Sequence, residues 1–375
     1  MNFDNIIGHT HTKKYLLEGI ANGRVAHTQL FVGSDGIGTL PMAIAYATEI
    51  ICANGNEKAR IKCNNLSHPD LHFAFPVATT KQVDKNPISS LFMKEWRSFV
   101  QEQPYGNLFD WYKFIGVDNK QGQIGVKEAE EITRKLTLKS FEGGYKVMII
   151  WMAELMNNDC SNKLLKLLEE PPAQTIFLLV AENQNQILPT ILSRCQITQL
   201  YQLGETAIIE GLMNEGIEEI QAKKIALRSQ GNYKKALEYA SQTEDDSFEQ
   251  WFVKLVRTAY SAKGNKASIL ELIRWGEELT SKGREVQKQF LEYCLEVFRQ
   301  AMLLNYQAEE LVYVQFPSTN FKLKNFAPYV HNNNIELIQK EIETAIFHIE
   351  RNGMGKAVFT DLSIKLIRLI HTKQE

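Results

Sequence analysis

Apolar residues recur along this chain in two rhythms, and the change between them divides it. Up to about residue 203, short runs that are apolar on both faces alternate with stretches of helical spacing. Gln29 to Val32, Lys146 to Trp151 and Thr175 to Val180 read as buried strands, and Tyr112 to Val117 reads as another. Helical spacing is predicted over 4–24, closed by Asn22 and Gly23, and again over 41–51, 126–138 and 158–169. The last of these is stopped hard by Pro171 and Pro172. Residues 52–110 read as irregular, with short helical patches. Strands alternating with helices predict a parallel sheet wound right-handedly.

Beyond 203 the strand signal ends. Ala207 to Met213 and Glu218 to Ser229 read as a short helical unit, and Gly231 separates them from a helix containing Ala236 and Leu237. From 246 the segments are long and amphipathic. Phe248, Trp251, Phe252, Leu255, Val256 and Tyr260 fall on one helical face. So do Val286, Phe290, Leu291, Cys294, Leu295, Phe298 and Met302, and later Ile335, Ile338, Ile342, Ile346 and Ile349. The expected architecture is an α/β domain over 1–203, a small helical lid over 204–245 and an all-α domain over 246–375.

Composition narrows the functional classes. With 375 residues, 44% hydrophobic and 23% charged, and a formal net charge of -2, the chain reads as an ordinary globular protein. That balance argues against a general nucleic-acid coat. No run is long and apolar enough to predict a membrane span. Five scattered cysteines and no secretion signal point to a reduced, cytoplasmic protein.

The chemistry concentrates at Gly33–Ala43. Gly33, Gly36 and Gly38 follow a strand and precede a helix with Pro41 in its first turn, in the outline of the phosphate-binding pattern G-x-x-x-x-G-K-[ST]. The place of the phosphate-reaching lysine is taken by Thr39, and that of the magnesium-holding hydroxyl by Leu40. A working nucleotidase of this kind also carries an acidic pair at the end of its second core strand. Trp151 and Met152 stand there, and Glu154, two residues on, reads as a solvated helix-start acid. Two motifs have lost their charges. Hydrolysis is therefore not expected, and nucleotide binding by the remaining glycine turn is expected to be weak or absent.

Other residues carry less by themselves. Leu164, Leu165, Leu167 and Leu168 face inward on a helix, with Lys166, Glu169 and Glu170 as its solvated face. Arg194, after Ile191 and Leu192, is by composition a surface residue or ion-pair partner. Cys52, Cys63, His68 and His72 supply four possible zinc ligands, the number a structural site needs.

Taken in order, several blocks resemble the clamp-loader AAA+ family. They are Ile7-Gly8, Leu30 to Gly33, the glycine turn, His68-Pro69-Asp70, Leu164-Leu165-Lys166-Leu167-Leu168-Glu169-Glu170-Pro171-Pro172 and Ser193-Arg194-Cys195. The likeness is firm over 1–200. It is looser through Gly231 to Leu237, Arg284 to Leu291 and Asn352 to Lys356. Within the family the chain is most similar to the delta-prime branch, whose members have degenerate P-loops and do not hydrolyse ATP.

The resemblance implies that Arg194 acts in trans as an arginine finger in a neighbouring subunit's ATP site. It implies that Ala181 occupies the γ-phosphate sensor's place and that 246–375 form a collar joining subunits. The implied partners are ATPase (gamma/tau-type) and delta-type subunits, with the sliding clamp and primed DNA met through the complex. Relatives often carry four cysteines in the region where this chain keeps Cys52 and Cys63, so the metal of that module is expected to be lost. Two other readings are an ATP-hydrolysing motor subunit of the loader or another P-loop NTPase, which needs a lysine at 39 and acids near 151, and a DNA-binding adaptor outside the loader. The adaptor calls for a basic stripe with aromatics, but the pairs Lys223-Lys224 and Lys234-Lys235 are short.

Overall fold

The buried runs lie side by side. In the computed structural model, described for residues 2–373 apart from 54, 82, 118–121, 143, 242–245, 263, 264, 315, 317 and 352, five parallel strands form one sheet. They are β1 (Thr28–Val32), β2 (Leu71–Ala74), β3 (Lys146–Trp151), β4 (Thr175–Ala181) and β5 (Gln196–Gln199), in the order β2-β3-β4-β1-β5. Leu30 lies opposite Leu179 on one side and Ile197 on the other, which places β1 next to the edge strand β5.

Between the strands run α1 (Thr10–Ala21), α2 (Thr39–Ile51), α3 (Glu57–Asn64), α4 (Met93–Glu102), α5 (Leu108–Phe114), α6 (Val126–Thr137), α7 (Asn158–Glu169) and the short α8 (Pro189–Leu192). Alternation along each strand sorts the core into two layers. Phe31, Ile149, Trp151, Leu178 and Val180 pack with α2 and α4, while Leu30, Met148, Ile150, Phe177 and Leu179 pack with α6 and α7. The expected α/β domain with a parallel sheet and flanking helices is thus present, with covered faces that explain its unbroken apolar strands.

Three local expectations are corrected. The first helix does not run from 4, because Gly8 and His9 both adopt left-handed backbone and α1 starts at Thr10. Tyr112 to Val117 is not a strand. Asn107 and Asp110 make a reciprocal capping box that starts α5, and Trp111 is buried on it. Residues 52–110 are more ordered than expected, since they hold α3, β2 and α4. Both β2 and β5 are four residues long, and β5 is mostly exposed, so neither left a clear hydrophobic signature.

The chain divides into two compact units, 1–241 and 242–375. The first includes α9 (Glu205–Asn214), α10 (Glu219–Ser229) and α11 (Tyr233–Ser241), packed about Ile208, Leu212, Ala226, Tyr233 and Ala236. Residues 242–245, where the sequence places the end of the lid, lie outside the described residues, as does Asn352. The second unit comprises α12 (Asp246–Ser261), α13 (Lys266–Thr280), α14 (Arg284–Asn305), α15 (Leu323–Phe326), α16 (Asn332–Glu350) and α17 (Gly355–Ile370). Its core joins the predicted faces, with Trp251, Phe252, Phe290, Phe298, Ile338 and Ile342 buried together. Tyr260 departs from that pattern. It is half exposed, with its ring stacked on His371. Among the described residues no helix is long and apolar enough to cross a membrane.

Candidate functional site

The site is a glycine loop whose carbonyls are already engaged. β1 delivers the chain to Gly33, whose N–H continues the sheet by donating to the Ala181 carbonyl at 3.1 Å. Gly36 (φ +71°) and Gly38 (φ +98°) take backbone conformations that a side chain would resist, and Gly38 begins α2. A Cβ on Gly36 would lie 2.1 Å from Asn232 Oδ1, and one on Gly38 would lie 2.9 Å from the Tyr105 ring.

The loop is fastened from three directions. From the lid, Asn232 Nδ2 donates to the Asp35 carbonyl at 3.0 Å, and the N–H groups of Tyr233 and Lys234 donate to the Gly36 carbonyl at 3.0 and 3.2 Å. From the N-terminal segment, His9 Nε2 donates to the Ile37 carbonyl at 2.9 Å; burial lowers the pKa of this ring and favours its neutral form. From the turn before α5, Asn107 Nδ2 donates to Asp35 Oδ2 at 3.0 Å. Asp110 joins these attachments, accepting from the Asn107 N–H and sitting 3.2 Å from Lys234 Nζ. Tyr105 fills the middle, with its hydroxyl accepting from the Ile7 N–H at 2.8 Å and its ring edge-on to Tyr233 at 4.9 Å.

Beside the loop is a cavity of about 30 Å³, lined by Thr39, Leu40, Trp151, Met152 and Ala181 together with Asp35 and Glu182. That is room for roughly two water molecules, against roughly 300–1,000 Å³ for a typical small-molecule site. Trp151 is committed to the core, with its ring 5.1 Å from Trp96 and 6.2 Å from Phe99. Glu182 keeps an exposed side chain, yet partial desolvation beside the cavity and the nearby carboxylates of Asp35 and Glu154 push its pKa up to about 7. Glu154 is not the solvated acid the sequence suggested. It is half-buried, accepts from the N–H groups of Glu182 at 2.7 Å and Asn183 at 3.3 Å, and has a pKa raised by burial.

The structure therefore gathers Gly33, Gly36, Gly38, Thr39, Leu40, Trp151, Met152 and Ala181 in one place. It surrounds them with acids and supplies no lysine among the lining residues. Sequence reading missed His9, Tyr105, Asn107, Asn232 and Glu182. Asn232 alone left a trace, inside the Gly231 to Leu237 block. The rest come from segments without a recognisable pattern.

Arg194 is not part of that lining. It follows α8 in the turn leading to β5, with its side chain about one-third exposed. Its Nη1 donates to the Thr190 carbonyl at 2.6 Å, and its Nη2 donates to Glu169, the last residue of α7.

Cys52 and Cys63 are buried in a small cluster with Ala59, their thiols hydrogen-bonded and both pushed up by burial. His68 Nδ1 accepts from the Asp70 N–H at 3.1 Å, leaving Nε2 3.4 Å from Glu142. Burial pushes the His72 ring down to about 4. Among the described residues no group of three or more His, Cys, Asp or Glu is placed to hold a metal ion.

A parallel sheet with a glycine turn after its inner strand β1, and a small helical unit fastened to that turn, define an α/β domain of P-loop type with a helical lid. Residues 8–204 match the family model described as DNA polymerase III, delta subunit, and the chain belongs to that family, in its delta-prime-like branch. It is 26% identical over 258 residues to DNA polymerase III subunit delta' of Bacillus subtilis, covering 67% of this chain and 65% of that protein. It is also 26% identical over 247 residues to DNA polymerase III subunit tau/gamma of Haemophilus influenzae, covering 64% of this chain and 30% of that one. Among solved structures, a DNA polymerase III gamma subunit-related protein of Thermotoga maritima aligns over 95% of this chain and 99% of its own, with 14% identity and a TM-score of 0.40.

Proposed function

We propose that this chain is a non-hydrolysing, delta-prime-like subunit of a DNA polymerase III clamp loader, serving the ATP chemistry of its neighbour. The observation that carries the reading is the state of the glycine loop. Where a triphosphate would need backbone donors, a lysine and magnesium ligands, the loop meets Thr39, Leu40, Trp151, Met152 and Ala181 in about 30 Å³. Asp35 and Glu182 would oppose the phosphates' negative charge. Contacts within the chain fasten the lid to the loop. A rigid head of this kind suits a stator. ATP binding is accordingly weak or absent, and no zinc is required.

In this reading residues 1–203 are the AAA+ domain, 204–245 its lid and 246–375 the collar. The collar and AAA+ surfaces contact gamma/tau-type ATPase and delta-type subunits, and the sliding clamp and primed DNA are met through the complex. Arg194 is the group offered to the neighbour. A planar guanidinium with several fixed donors matches the charge that develops on a transferring phosphoryl group.

The similarity to a tau/gamma subunit favours one competitor, a motor subunit that turns over ATP itself. ATP hydrolysis by the purified chain separates the two. Turnover at background is expected, and turnover comparable with a gamma/tau-type subunit would overturn the proposal.

A further inference from the structure

Arg194 is already engaged by its own chain. Its Nη1 reaches the Thr190 carbonyl at 2.6 Å and Ser193 Oγ at 3.2 Å, both within the turn that carries it. Those contacts hold one terminal nitrogen of the guanidinium, whose Nε is buried without a partner. The third contact differs in kind. Nη2 donates to the carboxylate of Glu169, from the end of a different helix 25 positions earlier, and that carboxylate is the more open partner, at 47% exposure against 31%. A carboxylate and a phosphoryl oxygen compete for the same guanidinium donors.

We propose that Glu169 is a latch for Arg194, holding Nη2 until the phosphate of a nucleotide bound to a neighbouring subunit takes its place. The inference rests on the trans role of Arg194 proposed above. The latch orients the guanidinium in the free chain, so that it does not swing freely before assembly. Because the ion pair is partly exposed, it is weak enough to exchange. Release leaves the Thr190 and Ser193 contacts in place, so the finger changes partner without leaving its turn. The released carboxylate is open enough to return to water. Glu169 would thus set how readily the finger engages, a role distinct from being the last solvated acid of its helix.

The test is ATP hydrolysis by the complex reconstituted from this chain, a gamma/tau-type ATPase subunit and a delta-type subunit, titrated with this chain. Glu169→Gln, which keeps the side-chain shape and removes the charge, is expected to lower the concentration giving half-maximal stimulation by about two- to five-fold. In an Arg194→Ala background the same change is expected to restore no stimulation and to leave the concentration for half-maximal binding to the ATPase subunit unaltered, whereas a merely structural role for Glu169 would shift binding in both backgrounds. Glu169→Ala is expected to act in the same direction as Glu169→Gln. If Arg194→Ala abolishes stimulation while Glu169→Gln leaves half-saturation unchanged or raised, the latch is overturned and the trans role stands. If Arg194→Ala leaves hydrolysis unchanged, both are overturned.

Discussion

Asn232 and Asp35, nearly two hundred residues apart, are joined by a 3.0 Å hydrogen bond from the asparagine side chain to the loop carbonyl. The same asparagine accepts from the Lys235 N–H at 2.9 Å at the start of α11, so one side chain both starts a lid helix and fixes the glycine loop. Gly36 must lack a side chain for this to hold. Gly36→Ala places a methyl on Asn232 at a positive φ and is expected to cost about 1–3 kcal/mol. Asn232→Ala is expected to cost about 1 kcal/mol. Thermal unfolding measures both, and an alanine at 36 that leaves stability unchanged would contradict the loop geometry.

Trp151 stands where an acid would hold magnesium, yet its ring belongs to a cluster with Trp96 and Phe99. Rebuilding the motifs should therefore fail. Thr39→Lys with Trp151→Asp is expected to destabilise the protein by more than about 3 kcal/mol, since it removes a buried indole and buries a carboxylate. No ATP turnover should appear. Denaturant unfolding and a phosphate-release assay read the two outcomes.

The acids at the cavity give a pH dependence with a definite sign. Glu182 has its pKa raised to about 7, so the folded chain holds this proton more tightly than the unfolded one. The associated stability is complete below the ordinary glutamate value, about 4.3, and is lost as pH rises through 7. Wild type is expected to lose more thermal stability between pH 5 and 8 than Glu182→Gln does. NMR of the carboxyl carbon should show a midpoint near neutrality, shifted down by Asp35→Asn.

Zinc content separates a buried thiol pair from a metal knuckle. Cys52 and Cys63 lie together, whereas His68 is engaged with Asp70 and Glu142. Metal analysis of the purified protein is expected to find well under one equivalent, and a chelator should leave the melting temperature unchanged. One tightly held equivalent would contradict this.

The sheet was legible where strands are buried on both faces, as in Lys146–Trp151 and Thr175–Ala181, because their apolar runs admit few other readings. It was illegible at Gln196–Gln199, four mostly exposed residues with Ile197 the one apolar side chain among them, and at Leu108–Phe114, where capping by Asn107 outweighed a strand-like run. The glycine turn and its missing lysine were plain in the sequence. Its fastening was not. Tyr105, Asn107 and Asn232 act through tertiary contacts between segments far apart in sequence, and no local pattern records those. Arg194 was visible only through resemblance, and its pairing with Glu169 only in three dimensions.

The central claim is that the nucleotide chemistry this chain serves belongs to its neighbour, through Arg194. The most direct measurement is clamp- and DNA-stimulated ATP hydrolysis by the reconstituted loader carrying Arg194→Ala. In known cases an arginine finger contributes roughly 10³–10⁵ in rate; with several ATP sites in one complex, loss of the stimulated rate at the adjoining site is expected. Hydrolysis indistinguishable from wild type would contradict the claim.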